Sequence, residues 1–336
     1  MKNKVLTGLL LVLIGGWGSL LAQNAGSNYA RQVNTLIGTK GVGLTSGYLY
    51  PGATYPYGMV QFTPSYFSKR SGFVINQLSG GGCEHMGNFP TFPVKGKLKM
   101  SPDNILNYRI NISEEKGHAG YYEAMVQEDI KAKLTVTERT GMANYEYPAD
   151  QQYGTVIIGG GISATPIEQA AVVITAPNKC EGYAEGGNFC GLRTPYKVYF
   201  VAEFDADALE SGTWKRDELK PNTTFAEGEY SGVYFTFDVS KKKNIQYKIG
   251  VSYVSVENAR ENLKAENTGW DFLQIQNQAE SKWNDYLGKI EVEGTNPDRT
   301  TQFYTHLYRS FIHPNVCSDV NGEYMGADFK VHKSRS

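Results

Sequence analysis

Side chains able to do chemistry gather in three stretches of this chain. Residues 38–59 read G-T-K-G-V-G-L-T-S-G-Y-L-Y-P-G-A-T-Y-P-Y-G-M. Glycine at this density can cradle a phosphate. Neither G-K-[ST] nor a G-x-G-x-x-G between strand and helix is present, however. The stretch reads instead as an aromatic surface loop, of a kind that can also line a sugar-binding surface. Residues 77–90 read Q-L-S-G-G-G-C-E-H-M-G-N-F-P. Their glycines let the backbone approach a ligand closely. Glu84 beside His85 suggests a metal or an acid–base pair, but neighbours on a strand face opposite sides. A structural loop and a ligand-contacting loop both stay open. The third set is His306, His313, Asp319 and Asp328. Two histidines seven residues apart can share a helix face, yet a metal needs more ligands than this pair. No G-x-S-x-G elbow accompanies them. Paired carboxylates for glycoside hydrolysis are defined by separation in space, which sequence spacing does not supply.

The elements that must hold these groups read mostly as short strands. Residues 131–138, K-A-K-L-T-V-T-E, alternate apolar and polar, and residues 230–239 place Val233, Phe235 and Phe237 on one side. Residues 155–158, 196–204 and 245–256 are further β-rich runs. Turn signals separate them, among them Pro51-Gly52, Pro102-Asp103-Asn104, Glu185-Gly186-Gly187-Asn188 and Ser211-Gly212. Such punctuation predicts an antiparallel sandwich, and no strand–helix alternation points to a doubly wound sheet. From residue 256 the texture changes. Ala259, Leu263, Trp270 and Ile275, then Ala279, Trp283 and Leu287, fall on helical spacing, which predicts two helices broken near Gly269. A short extended piece is expected at 289–292 and a turn at Asn296-Pro297-Asp298. A third helix is expected over 299–312, ended by His313-Pro314. A hairpin-like turn at 319–323 and a strand-containing segment at 324–332 follow.

The 336 residues carry 33 Lys and Arg against 34 Asp and Glu, a formal net charge of -1, so nothing points to nucleic acid or an anionic membrane. With 23 Tyr, 15 Phe and 4 Trp, the composition is that of a folded, β-rich protein. Lys2 and Lys4 precede an apolar run over residues 6–21 that ends at Ala22, which reads as a secretory signal peptide occupying residues 1–22. The alternative, a membrane anchor, is opposed by Gly15, Gly16 and Gly18 within a run of barely spanning length. No later segment is long and apolar enough to span, so a periplasmic or secreted product is expected. Export makes the four cysteines candidates for disulfides. A Cys180–Cys190 bridge is expected to close a Gly-rich loop, with Cys83 and Cys317 as small buried hydrophobes.

Several of these runs resemble the amino-terminal domain of family 92 glycoside hydrolases. They are V-N-T-L-I-G-T at 33–39, Y-P-G-A-T-Y-P-Y-G-M-V-Q at 50–61, L-S-G-G-G-C at 78–83, Y-K-V-Y-F at 196–200, F-Y-T-H-L-Y at 303–308 and H-P-N at 313–315. The resemblance covers roughly residues 29–332. It implies an exported, inverting exo-α-mannosidase acting on N-glycans or mannan, with calcium as cofactor and a mannose-containing glycan as partner. It implies a β-sandwich over 29–255, a helical linker over 256–298 and the start of an (α/α)6 barrel over 299–336. The sugar pocket of that family lies between the two domains, and its catalytic carboxylates lie on the helical side beyond these residues. No catalytic residue is therefore assigned, and the chain by itself is expected not to release mannose. On the matching loop, Glu84, His85 and Asn88 are expected to contact the leaving sugar. Asn88 stands where many relatives carry Asp. Asp328, within Y-M-G-A-D, is expected near the terminal mannose. A stand-alone carbohydrate-binding sandwich is the competing reading; helices whose apolar faces lack a partner would be a liability to it.

Overall fold

The computed structural model describes residues 28–40, 47–65, 72–103 and 111–334. The expected signal peptide lies outside them. After a short helix α1 (Tyr29–Gln32) come β1 (Ala53–Thr54), β2 (Gln61–Pro64), β3 (Phe73–Val74), β4 (Thr91–Lys95), β5 (Ile112–His118) and β6 (Tyr121–Val126). Then follow β7 (Ile130–Val136), β8 (Thr140–Glu146), β9 (Tyr153–Ile158), β10 (Ile167–Ala176), β11 (Lys179–Phe189) and β12 (Leu192–Phe204). The strand-rich part ends with β13 (Glu210–Lys215), β14 (Glu218–Pro221), β15 (Phe225–Glu227), β16 (Ser231–Asp238) and β17 (Asn244–Ser252). Helices α2 (Val256–Glu266), α3 (Phe272–Leu287) and α4 (Pro297–Ser310) follow, then the hairpin β18 (Glu323–Met325) and β19 (Val331–Lys333).

The strands make two antiparallel sheets, β1-β2-β3-β4-β9-β16-β13-β14 and β15-β10-β11-β12-β17-β8-β7-β6-β5. The predicted mainly-β sandwich is thus the fold. Period-2 alternation puts Tyr122, Ala124 and Val126 of β6 and Ile130, Ala132 and Leu134 of β7 inward, all nearly inaccessible. Aromatic contacts join the sheets. Phe204 lies 4.9 Å from Phe235, Phe62 lies 6.3 Å from Tyr247, and Phe73 stacks on Tyr145 at 6.3 Å.

The helices clad the outer face of the larger sheet. Helix α2 lies on β12 and β17, and α3 lies on β6, β7 and β8. Their caps are local: Ser255, Asp271 and Asn296 each accept a first-turn N–H, and Pro297 occupies the first turn of α4. Ala259 and Leu263 bury against Val201, while Phe272 and Ile275 bury against Met142. The expectation that these faces lack a partner is therefore corrected: the sandwich supplies the partner. Residues 289–292 form no strand, and Asn296-Pro297 caps α4 rather than standing as a separate turn.

The first motif also differs from its expectation. Of residues 38–59, residues 41–46 lie outside the described ones, and from residue 50 onward the stretch is no surface loop. Tyr50, Ala53, Val60 and Thr54 are buried, and the segment is clasped by α3, α4 and the chain after it. Trp283 Nε1 donates to the Thr54 carbonyl (2.7 Å), and the Tyr308 and Thr54 hydroxyls bond at 2.8 Å. Arg309 donates to the carbonyls of Tyr50 and Thr35. Tyr57 N–H donates to the Phe311 carbonyl, and Val316 N–H to that of Tyr57. At Gly52 a Cβ would sit 2.2 Å from the Thr63 Cβ and 2.3 Å from the Phe62 carbonyl, so only glycine allows β1 and β2 to close.

Candidate functional site

Where the sandwich meets the chain beyond α4, an open cleft of about 940 Å³ is formed. Three segments build its walls. The 77–88 loop contributes Leu78 and Met86; the β11–β12 hairpin contributes Glu185 and residues 194–197; residues 313–317 with Met325, Gly326, Ala327 and Phe329 close the far side. Met59, Gln61 and Tyr253 also line it. The surface mixes aromatic and aliphatic groups with a few polar ones, as small-molecule sites do.

The Gly-rich loop is held by two imidazoles. His85 Nε2 accepts the Leu78 N–H (2.7 Å), which assigns the ring proton to Nδ1, 2.6 Å from the Cys83 carbonyl. His313 repeats the pattern: Nε2 accepts the Ser79 N–H (2.9 Å) and Nδ1 faces Asn315 Oδ1 (2.8 Å). Asn315 Nδ2 in turn donates to the carbonyls of Gly58 (2.7 Å) and Ile312 (3.0 Å). Burial lowers the pKa of both histidines, against the raising effect of their hydrogen bonds. Neutral rings are what two Nε2 acceptors require.

A disulfide joins Cys83 to Cys190, with Cα atoms 5.3 Å apart. The expected Cys180–Cys190 bridge is therefore wrong. The Gly-rich run is not a loop but strand β11, with Cys180 near its start and Cys190 just past its end. Ten extended residues span about 33 Å, several times the reach of a disulfide. Gly186-Gly187 marks an irregular register rather than a turn. The turn is Cys190-Gly191, both at positive φ (52° and 81°), the pairing that two-residue hairpins favour. Cys180 is a free, buried thiol, and Cys317 is free and exposed rather than buried.

The four expected sugar contacts fare differently from one another. His85 is 2% exposed and spends both ring nitrogens on the backbone. Asn88 is fully buried beneath the cleft: its Oδ1 accepts from Asn76 Nδ2 (3.1 Å) and from the Tyr196 hydroxyl (2.7 Å). Glu84 is exposed on the loop. Asp328 is exposed at the β18–β19 turn, where it bonds His332 Nε2 (2.9 Å) and the Lys330 N–H (3.2 Å). The structure brings their two segments to one cleft, but the walls are formed by neighbours: Met86, Tyr196, Ala327 and Phe329. His306 is exposed on α4, and His313 lies beyond the helix end, so the two share no face. Asp319 is buried, accepting from Ser252 Oγ (2.6 Å), Asn258 Nδ2 (2.8 Å) and Asn262 Nδ2 (2.6 Å). It ties the last segment to α2. Among the described residues no three His, Cys, Asp or Glu converge as a metal site. A calcium ion needs six to eight oxygen ligands, so these residues do not fit one.

The missed residues are Tyr196, Lys197, Tyr253 and Gln61. Gln61 closes the quoted 50–61 motif, Tyr196 and Lys197 stood inside another but read as strand, and Tyr253 lies within the β-rich run 245–256. Their types carried no signal beyond that of a sheet.

By architecture this is a β-sandwich with a helical flank and a cleft at their junction. The chain belongs to family 92 of the glycoside hydrolases: residues 32–252 match the glycosyl hydrolase family 92 N-terminal domain, and residues 258–336 match its catalytic domain. An uncharacterized secreted glycosidase of Arthroderma benhamiae is 26% identical over 354 residues, 93% of this chain and 45% of that protein. A family 92 α-mannosidase of Bacteroides thetaiotaomicron has the same fold, with a TM-score of 0.81 and 24% identity over 92% of this chain and 44% of its own. One structure of that enzyme is a complex with mannoimidazole. An inverting family 92 mannosidase of the same bacterium gives a TM-score of 0.76 at 23% identity, over 91% of this chain and 43% of its own. The chain thus spans somewhat under half the length of the relatives it matches. Among the described residues no helix is long and apolar enough to cross a membrane.

Proposed function

We propose that this chain forms the sandwich wall of the sugar cleft in an exported, inverting exo-α-mannosidase that acts on N-glycans or mannan and uses calcium. The observation that carries the reading is the cleft itself. Separate segments meet around one mainly apolar hollow with a few polar groups, and that suits recognition of a pyranose, with its apolar C–H faces and hydroxyl rims. Family membership and the mannosidase neighbours support the choice of mannose. Export is supported by the leader at residues 1–22 and by the Cys83–Cys190 bridge, which suits an oxidising compartment.

The division of labour follows from the lining. Glu185 is the carboxylate among the described lining residues, and it pairs with Lys197 at 3.6 Å. An acid and a base on opposite sides of a glycosidic bond need two carboxylates, so neither role is given to a residue here. Calcium is likewise assigned no ligand here, since among the described residues no three His, Cys, Asp or Glu side chains converge. What these residues do is bind and orient. The stand-alone carbohydrate-binding reading is disfavoured by the match of residues 258–336 to the catalytic domain.

Calorimetric titration of the purified chain with an α-linked mannobiose and with a galactose disaccharide tests the proposal. Saturable binding of the first alone is expected. Equal heats for both sugars, or none for either, would overturn it.

A further inference from the structure

A covalent bond ties two walls of the cleft together, and it lies near the surface. The Cys83–Cys190 bridge joins residues 107 apart in sequence. Cys83 is half-buried in the loop between β3 and β4, and Cys190 is exposed at the β11–β12 turn. That loop supplies Leu78 and Met86 to the cleft, and the returning strand of the hairpin supplies Thr194 and Pro195.

The hairpin tip stands apart from the sheet that carries it. Pairing of β11 with β12 runs regularly from Lys179 opposite Glu203 to Gly186 opposite Tyr196, and there the register shifts. Beyond the shift come the pairs Asn188–Arg193 and Phe189–Leu192. An irregularity of this kind bends the strand pair away from its sheet. Gly191 N–H donates to Asn188 Oδ1 (3.0 Å) within the tip, and residues 191–195 are exposed. The noncovalent ties of the tip are weak kinds. Phe189 meets the His85 ring edge-on at 5.6 Å, and Arg193 pairs with Glu168 at 2.9 Å on the surface. The Gly-rich loop is anchored at its two ends: His85 and His313 hold the Leu78 and Ser79 amides, and Gly87 N–H donates to the Asn76 carbonyl (2.8 Å). The bridge grips the loop between those ends.

The sandwich beneath carries its own reporter. Cys180 lies on the same strand β11, opposite Ala202 and Ile174, and is a free thiol with no accessible surface in the core cluster. A reagent reaches it only when the sheets part. Cys317 is free and exposed, and a reagent reaches it at all times.

We propose that the Cys83–Cys190 bridge is a redox latch: intact, it pins the hairpin tip to the Gly-rich loop and fixes the cleft's shape, and when cut it frees both walls while the sandwich stays folded. The step is thiol–disulfide exchange with an external dithiol. Its thiolate attacks at Cys190, the more exposed partner; the S–S bond breaks, and Cys83 leaves as a thiolate and takes up a proton. The second thiol of the reagent then displaces Cys190, which is protonated in turn. Two electrons have passed to the bridge, and the reagent departs as its own disulfide. A disulfide oxidant runs the exchange backwards, so the walls are drawn together where the surroundings are oxidising. The latch concerns the shape of the cleft and stands apart from the identity of the sugar.

The test treats the folded chain with dithiothreitol, labels it with iodoacetamide and reads each cysteine by peptide mass. Untreated chain should carry one label, at Cys317, and reduced chain three, at Cys83, Cys190 and Cys317, with Cys180 unlabelled. Hydrogen exchange of the reduced chain should lose protection in residues 78–88 and 188–195 and keep it in β7, β8 and β17. Oxidised dithiothreitol should restore that protection. The double variant Cys83→Ala, Cys190→Ala should show the open pattern without reductant. A lowered Tm is expected whether the bridge is a latch or a staple, because a bridge closing so long a loop also restricts the unfolded chain. Labelling of Cys180 in step with Cys83 and Cys190 would mean that the bridge merely staples the whole fold, and would overturn the latch. So would a bridge that resists dithiothreitol until the chain unfolds, or unchanged exchange in the two walls once it is cut. Should the double variant fail to fold, Cys180 in the reduced wild type still decides between latch and staple.

Discussion

Two interfaces meet on the nine-stranded sheet, one on each face, and they are built differently. The inner face packs on the other sheet through side chains such as Phe62, Phe73, Phe204 and Phe235, all inaccessible and almost without polar partners. The outer face carries α2 and α3, and there small apolar patches alternate with carboxylates that gather donors. Glu266 accepts from Thr137 Oγ1 (2.6 Å), the Arg139 N–H (2.8 Å) and Arg139 Nη1 (2.7 Å). Glu280 accepts from Arg31, His118 and Gln276, and Asp319 from Ser252, Asn258 and Asn262. Lys248 donates to the Asn267 carbonyl (3.0 Å) with its ammonium 4.4 Å from the Trp270 ring. The inner interface is held by area, which is indifferent to pH and tolerant of sliding. The outer one is held by directional bonds, which fix position and titrate. That contrast explains how a thin helical layer can set the cleft's far wall in one place.

The comparison is broken most forcefully from the inside. Phe235→Ala should cost about 3–5 kcal/mol through lost burial and an unfilled cavity, with the same loss at pH 7 and pH 4 in urea unfolding. A strongly pH-dependent loss would mean that the inner core is not purely apolar. Next comes the knot under the last segment. Asp319→Ala strands three buried donors and should cost about 2–3 kcal/mol. Hydrogen exchange should rise first in α2 and the β18–β19 hairpin, while β7 and β8 stay protected. Uniform loss across the molecule would deny that the outer layer is a separate unit.

Acid sharpens the contrast. Burial pushes Glu280 up, but bonds from His118, Arg31 and Gln276 outweigh it and bring its pKa to about 2. A depressed carboxylate contributes stability above its unfolded pKa and loses it as pH falls from about 4.5 through the folded value. Between pH 6 and pH 3 the wild type should therefore lose on the order of 1–2 kcal/mol at this contact after solvent screening. In Glu280→Gln that loss should be absent, as read from unfolding midpoints over the same range. The smallest expected effect is at the Gly-rich loop. His85 and His313 have lowered pKa values, so the unfolded chain takes up protons first, and the anchorage weakens as pH drops below 6.5. The protection factors of the Leu78 and Ser79 amides, corrected for the intrinsic pH dependence of exchange, should fall between pH 7.5 and pH 5.5, and no change in them would contradict the assigned tautomers.

Strands with clean alternation were legible in the residues, as were the three helices, because period 2 and period 3.6 are imposed by burial on one face. Residues 131–138 and 230–239 became β7 and β16 with little change at their ends. What misled was glycine. In residues 50–61 and 181–190 it signalled turns, whereas Gly52 serves a close strand approach and Gly186-Gly187 an irregular register inside β11. Mistaking that strand for a loop also produced the wrong disulfide, since the partner of Cys190 lies 107 residues away. The site was half legible. Its loops were found by their residue types, but chemistry-bearing side chains such as His85 and Asn88 turned inward to hold backbone and tyrosine. The groups left facing the cleft were residues that read as sheet.

The most direct measurement is hydrogen–deuterium exchange of the chain with and without a saturating α-linked mannobiose. If the cleft is the sugar site, protection should appear in residues 78–88, 192–197 and 313–329, with the two sheets' interior unchanged. Protection confined to another surface, such as β5 to β8, or no protection under saturation, would contradict it.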